Sequence, residues 1–267
     1  MVISAADTSL VIATYNWPSA LGVVLQSVRD QRVHPGEVVI ADDGSRDDTR
    51  ALIVREAATF PVPLHHVWHE DAGFRLGMIR NKAMARAQGA YLLQLDGDMV
   101  LHPEFVASHV AFAAAGQYVQ GSRVMLDAAR TTAALAAGRV TAHAWSPGVR
   151  NRINALHAPA LAAFVRGPTD PLRRTRGCNM AFWRDDIVRV NGYNEAIEGW
   201  GREDSELAAR LQNAGVRRRN LKFAAVAWHL HHAVRAQDAL DRNHAAYERA
   251  VHERLTRCDR GIAQWLA

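Results

Sequence analysis

Short apolar segments alternate with amphipathic ones through the first hundred residues, and this alternation restricts the fold more than any other feature of the chain. Short apolar runs fit buried strands, whereas apolar residues repeating every three or four positions indicate helices. Strands are predicted at residues 9–14, 37–42, 64–69 and 91–96, and helices from Pro18, from 47 or 48 to about 59, and at 78–88. Repeated strand–helix–strand units predict an α/β fold with a mostly parallel central sheet, right-handed crossovers and flanking helices.

The second half of the chain is less regular. Helices are predicted at residues 103–115, 203–214 and 236–256, and strands at 118–124, 179–183 and 220–228. Gly215 follows the second of these helices, and glycine commonly ends a helix in the left-handed conformation. Residues 127–176 are rich in arginine and small residues and include Pro147, Pro159, Pro168 and Pro171, so broken helices and loops are expected there.

The chain is basic, with a formal net charge of +5 and a pI of about 9.7. Lys82 and Lys222 are the only lysines, so arginine supplies the rest of the positive charge; genomic composition is an alternative source of this excess. A basic surface attracts phosphates, anionic lipid headgroups or nucleic acid, and charge alone does not choose among them. The sequence has no apolar run of ~18 residues and no signal segment, so a cytoplasmic location is expected.

Polar residues follow each of the first four predicted strands. Ligands bind beyond the carboxyl ends of the strands in open α/β sheets. Four loops are therefore expected to meet at one edge of the sheet: residues 15–16, 42–45, 70–73 and 96–98.

Two aspartates, Asp96 and Asp98, end the fourth predicted strand. Two carboxylates so close together repel each other unless a cation lies between them. Oxygen ligands suit Mg²⁺ or Mn²⁺, which would bridge to a diphosphate. The alternative is an aspartate pair that caps the next helix.

The loop after the second strand carries Asp43, whose carboxylate can accept hydrogen bonds from a base imide or from ribose hydroxyls. The alternative is an Asx turn followed by a helix cap. Asp71, after the third strand, is a weaker candidate of the same kind. Arg80 lies on the next helix, where it reaches a base or phosphates in one interpretation and belongs to a solvated polar face in the other.

Trp200, Gly201, Glu203 and Asp204 lie at the start of a predicted helix. The helix dipole stabilises acidic residues at this end, which is a sufficient structural reason for the two carboxylates. In the functional interpretation Asp204 is a general base, Glu203 binds the acceptor, and Trp200 offers a flat surface for a sugar ring.

Three histidines, His229, His231 and His232, directly follow the last predicted strand. Histidines three residues apart can bind one cation, and Mn²⁺ accepts imidazole together with carboxylate. A metal site is preferred here to a purely structural role.

These motifs occur in the order found in inverting GT-A glycosyltransferases of the family-two type, which the chain resembles over about residues 9–243. The second half is similar to the galactosyltransferase-type carboxyl-terminal segment of bacterial chondroitin-polymerase modules. The motifs that carry the resemblance are residues 9–16, 42–45, 73–81, 95–98, 177–180, 192–195, 200–204 and 229–232.

The resemblance implies a role for each matching residue. The nucleotide-binding residues would be Thr14, Tyr15, Asn16, Asp43, Asp71, Arg80 and Asp96. The metal would be held by Asp98, with Asp96 touching the ribose or a metal-bound water, and by His229 or His232. The choice between the two histidines stays open, because the usual family pattern is His-Leu-Trp-His and His231 replaces the aromatic residue here. Asp204 would be the catalytic base, and Trp200, Gly201 and Glu203 would bind the acceptor.

The activity implied is metal-assisted transfer, with inversion, of a hexose or N-acetylhexosamine from a UDP-sugar to a hydroxyl of a glycan or lipid-linked acceptor. Mn²⁺ or Mg²⁺ would be the cofactor, and the product would be a surface polysaccharide or lipopolysaccharide. The arginine-rich segment, residues 127–176, is expected to meet a lipid-linked or anionic glycan acceptor at the inner membrane surface; ordinary solvated arginines are the alternative. A single domain, 1–267, is expected, with a nucleotide-sugar half (1–100), an acceptor-binding and catalytic half (101–232) and a C-terminal helix (233–267).

Two other functions compete with this interpretation. A sugar-nucleotide nucleotidyltransferase needs a glycine-rich phosphate loop after the first strand, and residues 14–18 contain no glycine. A dinucleotide-dependent dehydrogenase is disfavoured for the same reason. A non-catalytic basic module that binds a membrane or nucleic acid would explain the pI, but not the carboxylates at the strand ends.

Overall fold

A computed structural model describes residues 3–165, 170, 172–233 and 238–266. The strands are β1 (Thr8–Thr14), β2 (Glu37–Asp42), β3 (Leu64–Trp68), β4 (Tyr91–Asp96), β5 (Met99–Leu101), β6 (Gln117–Gly121), β7 (Val124–Leu126), β8 (Val149–Arg150), β9 (Asn179–Trp183), β10 (Arg217–Leu221) and β11 (Ala227–His229). The helices are α1 (Pro18–Arg29), α2 (Asp47–Ala57), α3 (Leu76–Arg86), α4 (Phe105–Ala111), α5 (Ala128–Ala137), α6 (Pro159–Ala162), α7 (Arg184–Arg189), α8 (Glu203–Asn213) and α9 (Leu240–His252).

A seven-stranded sheet forms the centre of the fold, in the order β10-β6-β9-β4-β1-β2-β3. Strand β9 runs antiparallel to both of its neighbours, and the other pairings are parallel. The register pairs Thr14 with Asp42 and Ala13 with Asp96, so these strands end at the same edge. The predicted α/β class with a mostly parallel sheet is confirmed.

Alternate residues of β1 pack into different layers of the core. Leu10 and Ile12 belong to the cluster that includes α1, whereas Val11 and Ala13 pack with α3 and α8. Leu10, Val11 and Ile12 are fully buried, as expected for a parallel strand covered by helices on both faces. This double burial explains why the strand appears in the sequence as a continuous apolar run.

A second sheet of four short strands, in the order β5-β11-β7-β8, was not predicted. The strand predicted at 118–124 is divided between the two sheets, as β6 and β7. The continuous strand predicted at 220–228 is wrong, because β10 and β11 belong to different sheets. Phe223 and Ala225 between them adopt positive φ angles of 65° and 46°, which no strand accommodates.

The helices of the second half also differ from the prediction. Helix α4 is shorter than the predicted 103–115. Broken helices are found in the described part of 127–176, where Asp127 caps α5 and Gly138 ends it with φ 65°; Pro168 and Pro171 lie outside the described residues.

The chain after residue 233 is not one helix. The start predicted at residue 236 lies outside the described residues, α9 ends at His252 rather than at 256, and a 3-10 helix follows at Ile262–Trp265. No helix within the described ranges is both long and apolar enough to cross a bilayer. The division of the chain into functional parts stays a prediction.

Candidate active site

Loops from the carboxyl ends of the first strands meet at one edge of the sheet, as predicted. The Tyr15 hydroxyl donates to Asp71 Oδ2 over 2.9 Å, and the Asn16 amide donates to Ser45 Oγ over 2.8 Å. Gly44 has a φ of +93°, and a Cβ there would lie 2.6 Å from the Cα of Asp71. This contact requires glycine, because both the backbone conformation and the close approach exclude a side chain.

Asp43 is buried and already hydrogen-bonded within the protein. His69 Nε2 lies 2.8 Å from its Oδ1, and the Arg75 amide donates to its Oδ2 over 3.1 Å. Asp43 also lines a small cavity of about 110 Å³ with Tyr15, Gly73 and Phe74. The sequence did not identify His69, Arg75 or Phe74, although all three lie in or next to motifs that it had marked. The nucleotide-binding role of Asp43 stays a prediction.

Arg80 joins carboxylates from two distant parts of the chain. Its guanidinium is 1% exposed and donates to Asp96 Oδ1 over 2.7 Å and to Asp204 Oδ1 over 2.9 Å. Burial disfavours the charged form, but Tyr193 and the two carboxylates outweigh it and raise the pKa of Arg80 above its usual value. The guanidinium therefore stays charged. Its predicted contact with a base or phosphate is untested, and the bridge between the carboxylates was not foreseen.

Asp96, Glu203 and Asp204 act on Arg80, and Asp98 acts on Asp96; these four residues are called the acidic cleft here. Burial raises the pKa of Asp96 to about 6, against the opposing charge of Arg80. Burial, and then the charge of Asp204, raise the pKa of Glu203 to about 8. Glu203 Oε2 is buried and has no hydrogen-bond partner among the described residues. The four carboxyl groups of the acidic cleft thus share one buried arginine, and two of them hold their protons more tightly than a carboxyl group in water.

Asp204 is the best-supported carboxylate of the acidic cleft. Besides Arg80, its Oδ1 accepts from the Tyr193 hydroxyl over 3.1 Å, and its Oδ2 accepts from the Gly177 amide over 2.7 Å. A Cβ at Gly177 would lie 2.0 Å from Asp204 Oδ1, so only glycine fits there. These donors fix the position of the Asp204 carboxylate.

Asp98, His229 and His232 form a cluster with the dimensions of a metal site. One ligand atom from each lies within 4.8 Å of the others, and Asp98 Oδ2 is 3.6 Å from His229 Nε2 and 3.2 Å from His232 Nε2. Strand pairing produces the cluster, since Met99 on β5 pairs with His229 on β11. The cluster includes both His229 and His232, between which the sequence could not choose.

The chemistry of this cluster fits a divalent cation. Asp98 Oδ1 is buried without a hydrogen-bond partner in the described part of the chain. Burial lowers the pKa of His229, which favours the neutral imidazole that binds metals. A carboxylate with two imidazoles suits a borderline metal such as Mn²⁺. Asp96 lies outside the cluster, with its Oδ1 on Arg80, so its predicted role as a ligand stays untested.

The predicted acceptor residues lie at the entrance to α8. Trp200 is 37% exposed, which leaves part of its ring free for contact. Gly201 has a φ of +105°, and a Cβ there would lie 2.9 Å from Leu240 Cδ1 on α9. Their roles in acceptor binding stay predictions.

A family model described as glycosyl transferase family 2 matches residues 9–161, more than half of the chain. The chain belongs to glycosyltransferase family 2. A second model, described as the N-terminal domain of galactosyltransferase, matches residues 160–233. The two matches together cover the acidic cleft and the metal-site cluster.

The chain is also similar to individual curated proteins and solved structures. Chondroitin synthase of Escherichia coli is 28% identical over 247 residues, which is 83% of this chain but only 34% of that protein. S. aureus TarS (1–349) in complex with UDP superposes with a TM-score of 0.64 at 17% identity, over 97% of this chain and 69% of that one. The mannosyltransferase PcManGT from Pyrobaculum calidifontis, in complex with GDP-Man and Mn²⁺, gives 0.58 at 19% identity, over 90% and 61%. At these identities the structural likenesses show the fold alone, which is the GT-A fold.

Proposed function

We propose that this glycosyltransferase moves a hexose or N-acetylhexosamine from a UDP-sugar to an acceptor hydroxyl by a single displacement that inverts the anomeric carbon. One observation carries the proposal: Arg80 ties Asp96, at the end of β4, to Asp204, at the start of α8. The end of β4, in the predicted nucleotide-sugar half, and Asp204, the predicted base, therefore lie in the same cleft. The family match favours sugar transfer over nucleotidyl transfer and over a non-catalytic binding module.

Asp43 is the candidate for uridine recognition. Its carboxylate is fixed by His69 and by the Arg75 amide, and it lines the small cavity with Tyr15. A carboxylate offers about four acceptor positions, so two of them remain for a base imide or ribose hydroxyls. The complex of TarS with UDP supports a uridine donor.

Asp98, His229 and His232 would hold Mn²⁺ or Mg²⁺. A cation bound there would neutralise negative charge on a departing diphosphate. The buried, unpartnered Asp98 Oδ1 and the neutral His229 support this assignment, and the Mn²⁺ complex of PcManGT supports the choice of metal.

Asp204 is the proposed general base. In the step, the bond between the acceptor oxygen and the anomeric carbon forms as the bond from that carbon to the diphosphate oxygen breaks. The acceptor proton passes to Asp204. Asp204 Oδ2 has one described donor, the Gly177 amide, so it keeps an acceptor position for this proton. Arg80 and Tyr193 hold the other oxygen and fix the orientation of the carboxylate, which supports catalysis by positioning.

The proposed acceptor is a glycan or a lipid-linked saccharide in the synthesis of a surface polysaccharide, with peripheral contact at an anionic membrane. Trp145 and Phe164 lie in the arginine-rich segment, residues 127–176. They are 69% and 81% exposed, as expected of side chains that enter a membrane interface. Co-sedimentation with vesicles should therefore increase with the fraction of anionic lipid. Equal sedimentation with neutral and anionic vesicles would contradict the membrane contact.

The deciding experiment is a donor screen. Purified protein is incubated with a panel of UDP- and GDP-sugars, with Mn²⁺, Mg²⁺ or EDTA, and release of the nucleotide is measured with and without saccharide acceptors. We expect UDP release that requires a divalent cation, and a product whose NMR coupling constant shows the inverted anomer. A retained anomer, or GDP release alone, would contradict the proposal.

A further inference from the structure

A positively charged cavity of about 330 Å³ lies next to the acidic cleft. We call it the cationic cavity, and its basic lining residues are Arg123, Arg173, Arg174, Arg176, Arg218 and Lys222. No carboxylate lines it among the described residues. Its volume is at the lower end of the range of small-molecule sites, roughly 300–1,000 Å³.

The cationic cavity shares a wall with the proposed catalytic base. Arg176 and Cys178 line the cavity, and Gly177 between them donates its amide hydrogen to Asp204. The Cys178 carbonyl in turn accepts from the Asp96 amide over 3.4 Å. A molecule bound in the cavity is therefore separated from the base by a single stretch of backbone.

The polar groups of the cavity wall are not fully used within the protein. Arg123 Nε and Asn220 Nδ2 are buried and have no hydrogen-bond partner in the described part of the chain. Burial, and then the charge of Arg123, lower the pKa of Arg176. Burial lowers the pKa of Arg218 as well. The charge of Asp170 opposes this shift, but Asp170 does not line the cavity. Positive charges held together in this way are stabilised by an anion.

We infer that the cationic cavity binds an anionic oxygen group of the acceptor, a carboxylate or a phosphate, on the sugar next to the one whose hydroxyl attacks the donor. The attacking hydroxyl would then lie at Asp204, on one side of residues 176–178, while the charged neighbouring sugar pairs with the arginines on the other side. Guanidinium groups match the planar or tetrahedral oxygens of both anions. This inference rests on the proposed sugar transfer and adds the class of acceptor.

The donor diphosphate is the competing occupant. Arg123 lines the cavity, and its charge also acts on His229, so the cavity lies near the metal-site cluster. Arg174 and Lys222 line the cavity too, and neither is among the charges that shift the pKa of His229. Substitutions at these two positions therefore separate acceptor binding from donor binding.

The test compares acceptors that share the same attacking sugar and differ in the next residue: a neutral hexose, a hexuronate or a hexose phosphate. Kinetics are measured for the wild-type chain, Arg174→Gln and Lys222→Gln. Arg50→Gln is the matched control, because Arg50 is an exposed arginine on α2 and does not line the cavity. Thermal unfolding checks that each variant is folded.

We expect one of the two charged acceptors to be preferred, and its KM to rise about tenfold in each cavity variant, as for the loss of one charge-assisted hydrogen bond. Arg50→Gln should leave that KM within twofold of the wild type. A preferred hexuronate identifies a carboxylate, and a preferred phosphate identifies a phosphorylated acceptor. Equal use of all three acceptors, or a rise in the donor KM instead, would overturn the inference.

Failure of the proposed function would give a different result. A wild-type chain that neither hydrolyses nor transfers any UDP-sugar would contradict sugar transfer. In that case direct binding of the labelled charged and neutral disaccharides still tests the cavity. Binding that requires the charged group and weakens in Arg174→Gln supports the cavity, whereas equal binding of the two disaccharides removes it.

Discussion

The acidic cleft and the cationic cavity lie on opposite sides of residues 176–178 and carry opposite charge. In the cleft, one buried arginine pairs with two carboxylates. In the cavity, six basic side chains surround a space without a carboxylate among the described residues. The proposed cation binding and the proposed anion recognition therefore depend on different residues. Each should change without the other.

The largest effect is expected for Asp98→Asn, which removes the carboxylate of the metal-site cluster. Activity should fall about 10³-fold, since charge neutralisation by a bound cation is worth several kcal/mol. Affinity for Mn²⁺, measured by calorimetry, should fall with it. His231→Gln is the matched control, because His231 is exposed and outside the cluster. Equal Mn²⁺ affinity in Asp98→Asn and the wild type would show that the cation binds elsewhere.

The next effect concerns the identity of the base. Asp204→Asn should lower kcat by at least ~10²-fold, with donor binding retained. Glu203→Gln should have a smaller effect on kcat and act on the acceptor KM. Steady-state kinetics with saturating donor separates the two. A larger loss of kcat in Glu203→Gln would move the base to Glu203, whose raised pKa makes it the stronger proton acceptor.

A smaller effect is expected on stability when the bridge of the acidic cleft is removed. Arg80→Met should reduce the free energy of unfolding by about 2 kcal/mol, because two carboxylates lose their buried partner. The loss is lower than for a fully buried pair, since the Asp96 and Asp204 side chains are 34% and 18% exposed. Urea denaturation measures it. The double variant Arg80→Met/Asp204→Asn should be less destabilised than the sum of the single variants, and additive losses would contradict a direct pair.

The smallest effect is a pH dependence that comes from Glu203. Its pKa in the folded protein, about 8, is above the ordinary value of 4.5, so the folded state holds the proton more tightly than the unfolded state. The stability that protonated Glu203 contributes to the folded state is therefore complete below about pH 4.5, and it is lost as the pH rises towards 8. The Tm of the wild type relative to Glu203→Gln should fall over this interval. A difference in Tm that stays constant with pH would contradict the burial of this carboxyl.

The central sheet was predictable because burial on both faces leaves a clear trace in the sequence. Strands β2, β4 and β9 were predicted with the bounds that the structure has. The second sheet left no such trace, since its strands are two or three residues long and come from four separate segments. The break between β10 and β11 depends on positive φ angles at Phe223 and Ala225, which are not residues that indicate a turn.

The candidate site was predictable in its residues more than in their contacts. Strand ends and clustered histidines marked Asp43, Asp98 and His229, because ligands bind beyond the carboxyl ends of the strands in an open α/β sheet. The bond between Arg80 and Asp204 joins residues 124 positions apart, and no local pattern reports such a contact. The residues that line the cationic cavity are spread between positions 120 and 222, so the sequence showed only separate arginines and gave no sign of a cavity.

Gly177 has a consequence for redesign of the enzyme. The space that a methyl group would need at this position is filled by the carboxylate of Asp204, so any substitution of Gly177 would displace the proposed base. Changes of substrate preference are therefore better sought in the basic side chains that line the cationic cavity. A randomised library that fixes residue 177 and varies positions 173, 174 and 222 would explore new specificities while keeping the reaction centre in place.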